Sequence, residues 1–280
     1  AYAANSITPQ LVADFKDGVY GKNSALSTFD GVLNHTRSSA ATYVDSTGLL
    51  QTAASGVARE NHHVYNGSAW VKEGYLHEPE AATNLVTQSD LSNWGQTRSV
   101  LSFDQGTSPD GTSNATKQTA DTSTNSHSVS EIVNAPANDS VVTASVYLKQ
   151  DTLRYAQIRI ADNATNVNGG LNNFDAHFDL QDGVVTGTAN YSGTALGTHA
   201  YVEDVGNGWY RCSIGLTKQG DNVRTDVTIY LATSAVVSNN TGFTGTGTES
   251  ILIYGAQLEE GSVPTSYIPT AGSTVTRAAD

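Results

Sequence analysis

A chain of 280 residues can bury a sizeable core and suggests one or two domains. Its formal net charge of −13 argues against a nucleic-acid backbone or an anionic membrane surface as partner, since both need positive charge, and fits a solvated acidic surface. The one cysteine, Cys212, excludes an intrachain disulfide and a thiolate metal cluster; its place in the alternation Tyr210, Cys212, Ile214, Leu216 marks it as a small core residue.

No apolar run reaches the length of a membrane span. The first 15 residues lack the basic region and apolar core of a signal peptide. The chain has no Met and starts at Ala1, which initiator-Met removal or a cleaved signal would each explain.

Residues 1–88 form a first segment without helix-length periodicity. Residues 11–15 read as a short strand, broken by Gly18 and Gly21. Residues 42–44 and 49–50 are short strands around a Ser46-Thr47-Gly48 turn. Tyr65 and Trp70 flank Asn66-Gly67, a strong hairpin signal. The segment holds too few apolar residues for a good core of its own and is expected to wrap a neighbour.

Residues 89–263 read as strands at regular intervals. Ser108-Pro109-Asp110-Gly111 is a β-turn. Along residues 141–149, Val142, Ala144, Val146 and Leu148 alternate with Thr143, Ser145, Tyr147 and Lys149. Ala156, Ile158 and Ile160 face inward against Tyr155, Gln157 and Arg159. Phe174, Ala176, Phe178 and Leu180 face inward against Asp175, His177 and Asp179. Asn207-Gly208 joins residues 201–205 to 209–216 as a hairpin. Val227, Ile229 and Leu231 form a further inward row, with Thr228 and Tyr230 outward. This pattern predicts an all-β fold, an antiparallel jelly-roll β-sandwich with an irregular, strand-poor N-terminal segment wrapped on it. Polar loops at 162–173 and 238–247 fit its rims.

Residues 249–269 close the segment. Ile251 and Ile253 point one way, and Leu252, Tyr254, Ala256 and Leu258 the other. A strand apolar on both faces is covered on both. One expected cover is the sandwich core; the other is the first segment or a sister subunit. Glu259-Glu260-Gly261 marks where the chain leaves the sandwich, and Pro264 and Pro269 keep residues 264–280 extended as a tail. Thr276-Arg277-Ala278-Ala279 echoes Thr36-Arg37-Ser38-Ser39-Ala40-Ala41, too short an echo for a structural repeat.

Several motifs resemble one group of proteins in the same order. In the first segment they are residues 36–43, 48–53, Arg59 and the run Glu78-Pro79-Glu80-Ala81-Ala82-Thr83-Asn84-Leu85. In the second they are 91–94, 109–112, 144–149, 206–213 and 255–261, followed by 266–270 and 276–280. The chain resembles bacteriophage virion proteins of the tail-fibre, head-fibre or decoration type that carry a carbohydrate-binding-module-like jelly roll. After Arg59 it departs from their acidic stretch with Glu60-Asn61-His62-His63. Some of that group continue past the Thr-Arg-Ala-Ala-Asp end; this chain stops there, and no separate catalytic domain is expected. The resemblance implies a non-enzymatic virion component, made in the host cytoplasm. It would assemble as a homotrimer with capsid or tail proteins and contact host surface polysaccharide. A dedicated glycan-binding adhesin is the alternative, and a polysaccharide-degrading enzyme a remote one.

The outward rows gather Tyr147, Tyr155, Gln157, Arg159, Asp175, His177, Trp209, Arg211 and Tyr230. If their strands share a sheet, the face suits sugars, whose C–H faces stack on aromatic rings while polar side chains bond the hydroxyls. Packing against a neighbouring subunit, or a plain outer surface, accounts for the same residues. The carboxylate pairs Glu78/Glu80, Glu259/Glu260 and Asp175/Asp179 could suggest glycoside hydrolysis, but sequence neighbours do not face each other across a substrate, and strand-end roles are expected. No catalytic set and no metal set is assigned: His62, His63 and His77 match no metal-ligand spacing. Loop carboxylates and carbonyls would suit a structural Ca²⁺.

Overall fold

The computed structural model describes residues 11–23, 25–135, 139–162, 172–191, 197–219, 224–236 and 242–280. Most of the first expected rim loop (163–171), the start of the second (238–241) and the first ten residues lie outside the described residues. The chain divides into two compact units, Ala1–Ala81 with Arg277–Asp280, and Ala82–Thr276.

The first unit is built from short pieces. Strands β1 (Leu11–Asp14), β2 (Val19–Lys22) and β3 (Ala25–Ser27) form an antiparallel meander. A single helical turn, α1 (Phe29–Val32), follows, with Thr28 Oγ1 accepting the Gly31 N–H as its N-cap. β4 (Ala41–Val44) pairs with β5 (Leu50–Ala53), and β6 (His62–Tyr65) with β7 (Trp70–Gly74). Asp45 pins the first of these turns: its carboxylate accepts from the Thr47 N–H at 2.8 Å, the Thr47 hydroxyl at 2.6 Å and the Leu49 N–H at 3.1 Å. Asn66 pins the second by accepting from the Ser68 and Ala69 N–H groups. Where the sequence holds too few aliphatic residues, aromatic rings fill the centre. Phe29 meets Tyr20 at 5.6 Å and Tyr75 at 4.9 Å, both edge to face.

Beside these rings lies a buried ionic cluster. Arg37, Arg59 and Arg277 are all at most 2% exposed. Asp280 accepts from Arg37 Nη1 at 2.7 Å, from Arg59 Nη2, and from the Glu78 N–H at 2.8 Å. Arg37 spends its remaining donors on the carbonyls of Ser39, Ala54 and Val57. The sequence echo has a structural counterpart here, because Ser39 Oγ accepts the Ala278 N–H at 2.8 Å and brings the two short motifs side by side.

The second unit carries β8 (Ala82–Asn84), β9 (Gly95–Thr97), β10 (Ser99–Ser102), β11 (Thr116–Ala120), β12 (Thr124–Asn125), β13 (Ser128–Asn134), β14 (Val141–Gln150) and β15 (Tyr155–Asp162). It continues through β16 (Asn172–Asp179), β17 (Val184–Asn190), β18 (Gly197–Asp204), β19 (Trp209–Thr217), β20 (Arg224–Ala232), β21 (Phe243–Thr244), β22 (Ser250–Glu260) and β23 (Val275–Arg277). Two six-stranded antiparallel sheets make the sandwich, in the orders β10-β11-β22-β14-β19-β18 and β17-β16-β15-β20-β13-β9. The all-β antiparallel sandwich expected from the alternation is the observed fold. The inward rows of β14, β15, β16, β19 and β20 meet in one core, which includes Cys212; burial pushes the Cys212 thiol well above its usual pKa.

The strand β22 departs from simple alternation. Tyr147 pairs with Tyr254 but Ser145 with Gln257, so three residues of β22 span two of β14. The extra residue is accommodated at Gly255, whose φ of +63° only glycine adopts at little cost. This bulge resets the phase. Ile251, Ile253, Ala256 and Leu258 all reach the core, whereas the sequence alternation set Ala256 and Leu258 against Ile251 and Ile253. The other face of β22 is covered from within the same unit. Gln257 Oε1 accepts the Ile268 N–H at 2.7 Å, and Glu259 accepts the Thr265 N–H at 2.6 Å and hydroxyl at 2.7 Å. Asn84 donates to the carbonyls of Ala256 and Ile268 and accepts from the Leu258 N–H. Residues 265–270 therefore fold back over the sandwich, with Tyr267 and Ile268 buried.

Candidate functional site

The outer face of the sheet β17-β16-β15-β20-β13-β9 holds the densest set of buried polar side chains outside a core. Register places them in rows. Gln157 lies between His177 on β16 and Tyr230 on β20; two residues on, Arg159 lies between Asp175 and Thr228. One residue pair further, Ala161 sits between Asn173 and Asp226. The strands hold this set rigidly because the alternate residues, Ala156, Ile158, Ile160, Phe174, Ala176, Phe178, Val227 and Ile229, are locked into the core beneath.

Arg159 and Asp175 form a two-pronged ion pair, Nε to Oδ1 at 2.6 Å and Nη2 to Oδ2 at 2.7 Å. The guanidinium also donates to the Tyr230 hydroxyl at 3.1 Å and stacks between the rings of Tyr230 and Tyr191, at 5.1 and 5.9 Å. Burial pushes the Asp175 carboxyl above its usual value, with Arg159 pulling against it. Below this pair, Gln157 Oε1 hydrogen-bonds His177 Nε2. Burial lowers the His177 pKa to about 4, so the imidazole is neutral at pH 7. At the end of the face, Arg154 grips Asp179 through Nε at 2.8 Å and Nη2 at 2.5 Å, reaches Asp182 at 2.5 Å, and lies 5.4 Å from the Tyr155 ring centroid.

The nine residues expected to share a face do not all do so. Tyr155, Gln157, Arg159, Asp175, His177 and Tyr230 come together on this sheet. Tyr147, Trp209 and Arg211 lie on β14 and β19 of the other one. That second group is covered and structural. Tyr147 packs against Tyr254 and Tyr267, Arg211 donates to Ser145 Oγ and the Thr265 carbonyl, and Trp209 is buried with its indole N–H on the Thr107 carbonyl. The row faces outward as expected, yet Gln157, Asp175 and His177 are each at most 1% exposed. Four further residues of the face, Arg154, Asn173, Tyr191 and Asp226, escaped the sequence reading. For Asn173 and Asp226 the signal was present, since extending each outward row by one alternate residue reaches them. Arg154 and Tyr191 lie just outside their strands, where alternation says nothing.

The other candidates disperse. His62 Nδ1 accepts the Val44 N–H, His63 contacts its neighbour Asn61, and His77 meets Tyr75. Among the described residues no three His, Cys, Asp or Glu side chains converge as a metal-holding group. Asp110 binds its own loop, accepting from Ser108, Thr112 and Asn114, and also takes the Tyr254 hydroxyl at 3.0 Å. Glu78 is taken up by Arg59, Glu259 by Thr265, and Asp175 and Asp179 by arginines.

No protein-family profile matches the chain, and no curated protein matches it. Among solved structures, the chain is similar to the enzymatically active domain of a bacteriophage CBA120 tailspike protein, at 12% identity and a TM-score of 0.35. That match covers 63% of this chain but only 21% of the tailspike chain. It is similar to TmCBM61, solved with β-1,4-galactotriose, at 11% identity and a TM-score of 0.35, covering 64% of this chain and 99% of that one. A third structure, of a protein from Bacteroides thetaiotaomicron, gives 12% identity and a TM-score of 0.33, covering 64% of this chain and 94% of that one.

Proposed function

We propose that this protein binds a glycan, without cleaving it, on the outer face of the sheet β17-β16-β15-β20-β13-β9. The observation that carries this reading is the rigid alternation of half-exposed tyrosine rings with polar pairs already locked in place, Arg159–Asp175 and Gln157–His177. The locked pairs hold the neighbouring tyrosine rings in place, and flat rings suit the C–H faces of sugars. The carboxylates Asp175 and Asp179 are both ion-paired, which suits positioning and not acid–base work. A glycan array of host-surface polysaccharides tests the reading. We expect binding that Tyr155→Ala and Tyr230→Ala each reduce while the fold is retained; binding unchanged in both variants would exclude this face.

The setting we infer is the surface of a phage particle, where the protein would act as a fibre or decoration component and assemble as a homotrimer. The motifs running in order from Thr36 to Asp280 support this setting. Light scattering on the purified protein, with co-sedimentation on phage particles, tests it: a monomer that never sediments with particles would count against it.

A further inference from the structure

At one end of the sandwich the inward rows finish in a polar set that joins the two sheets. Asp162 follows Ile158 and Ile160 on β15, and Thr225 lies directly across from it on β20. Lys218 follows Ile214 and Leu216 of the other sheet, one residue past the end of β19. Asp162, Thr225 and Lys218 are each 0% exposed. Lys218 Nζ donates to Thr225 Oγ1 at 2.7 Å and lies 3.8 Å from Asp162 Oδ1. Asp162 Oδ2 accepts the Gln219 N–H at 2.6 Å. An amine and a carboxyl group from opposite layers thus meet inside the sandwich, closed to solvent.

Such a pair has a chemical course open to it beyond the ion pair. Charges shut away from water are costly, and moving one proton from the ammonium to the carboxylate leaves a neutral amine beside a neutral acid. Burial lowers the Lys218 pKa, with Asp162 pulling it back up. A neutral amine is a nucleophile, and the packed strands hold this one next to a single carboxyl group. Nζ adds to Cγ, and negative charge gathers on Oδ2, where the Gln219 N–H already donates. The Cγ–Oδ1 bond then breaks, and the hydroxyl leaves as water with a proton from Nζ. One amide bond forms and one water is released, with no change of oxidation state.

We infer that Lys218 and Asp162 join as an amide, a covalent tie between the two sheets of the sandwich. With Cys212 as its one cysteine, the chain has no intrachain disulfide to serve that purpose. The inference does not depend on the glycan-binding reading. The test is intact-mass spectrometry of the purified chain, unfolded in denaturant, with tandem spectra of a protease digest. The expected mass is that of the sequence less one water, and the digest should yield a branched peptide joining Asp162 to Lys218. That branch separates the tie from a cyclised aspartate, which loses one water within a single peptide. Lys218→Met should restore the full mass and remove the branched peptide. Full sequence mass in the parent chain after prolonged incubation at neutral pH, or a lost water without the branch, would overturn the inference and leave an ordinary buried ion pair. Loss of one ammonia with the branch at Asn172, which lies directly across from Asp162 on β16, would also overturn it. The parent chain's own mass is read first, so the outcome does not hang on whether the variant folds.

Discussion

Arg159 and Asp175 face each other across β15 and β16, and their paired hydrogen bonds hold the guanidinium flat between two tyrosine rings. The carboxylate is wholly buried and the guanidinium nearly so, at 0% and 13% exposure. Removing one partner strands the other. Asp175→Asn should therefore destabilise the sandwich by about 3 kcal/mol, while the double replacement Arg159→Met with Asp175→Leu should cost less than the single one. Urea unfolding of the three chains checks this; a double variant less stable than Asp175→Asn would contradict it.

His177 gives the sandwich a pH dependence of known sign. Burial lowers its folded-state pKa from 6.5 to about 4, so the unfolded chain binds the extra proton first. Its contribution to stability is fully present above about pH 6.5 and is lost as the pH falls toward about 4. Urea midpoints measured across that window should fall with pH in the parent chain, and fall less steeply in His177→Gln.

Glu249 acts lower on the scale. Hydrogen bonds from the Thr246 N–H and hydroxyl hold its carboxyl at about 2, below the usual 4.5. That stabilisation exists above about pH 4.5 and disappears as the pH falls toward about 2. Glu249→Gln should flatten this acid limb and leave the limb due to His177 unchanged.

Gly255 should tolerate no side chain. A Cβ there would stand 3.1 Å from the Tyr267 ring and 3.2 Å from that of Tyr147, on a backbone with φ of +63°. Gly255→Ala should cost about 2 kcal/mol from the left-handed conformation, and more if the rings cannot yield. A lowered melting temperature checks it.

Trp209 separates structural from binding aromatics. Its indole is 2% exposed and hydrogen-bonded, so Trp209→Ala should cost about 3–5 kcal/mol of stability. Tyr155 is half-buried at the end of the candidate face, and Tyr155→Ala should act on polysaccharide retention instead. Thermal melts and affinity gels run side by side distinguish the two.

Alternation made most of the sandwich readable, because each strand's core row is strictly every second residue: Phe174, Ala176, Phe178; Val227, Ile229, Leu231. Turn chemistry did the same for the hairpins at Asn66-Gly67 and Asn207-Gly208, where a positive φ is needed and supplied. Two things escaped. A bulge changes the phase of a strand without changing its composition, so Ala256 and Leu258 seemed to belong to the wrong face. Strand order is set by pairing between distant segments, so nothing local separated Tyr147, Trp209 and Arg211 from Tyr155 and Tyr230. The outward polar row was visible, but its burial was not, because that depends on which side chains of neighbouring strands pair beside each other across the sheet.

The carboxylate of Asp280 completes a cluster whose other members, Arg37, Arg59 and Glu78, precede it by some two hundred positions. Everything between Ala82 and Thr276 belongs to a different unit. The sandwich is therefore an insertion in the smaller unit, and synthesis runs through the whole of it before the smaller unit's last partner leaves the ribosome. During that interval Arg37 lacks the carboxylate it pairs with and Arg59 has only Glu78, so the smaller unit can reach its final form only after the sandwich has had its chance to fold.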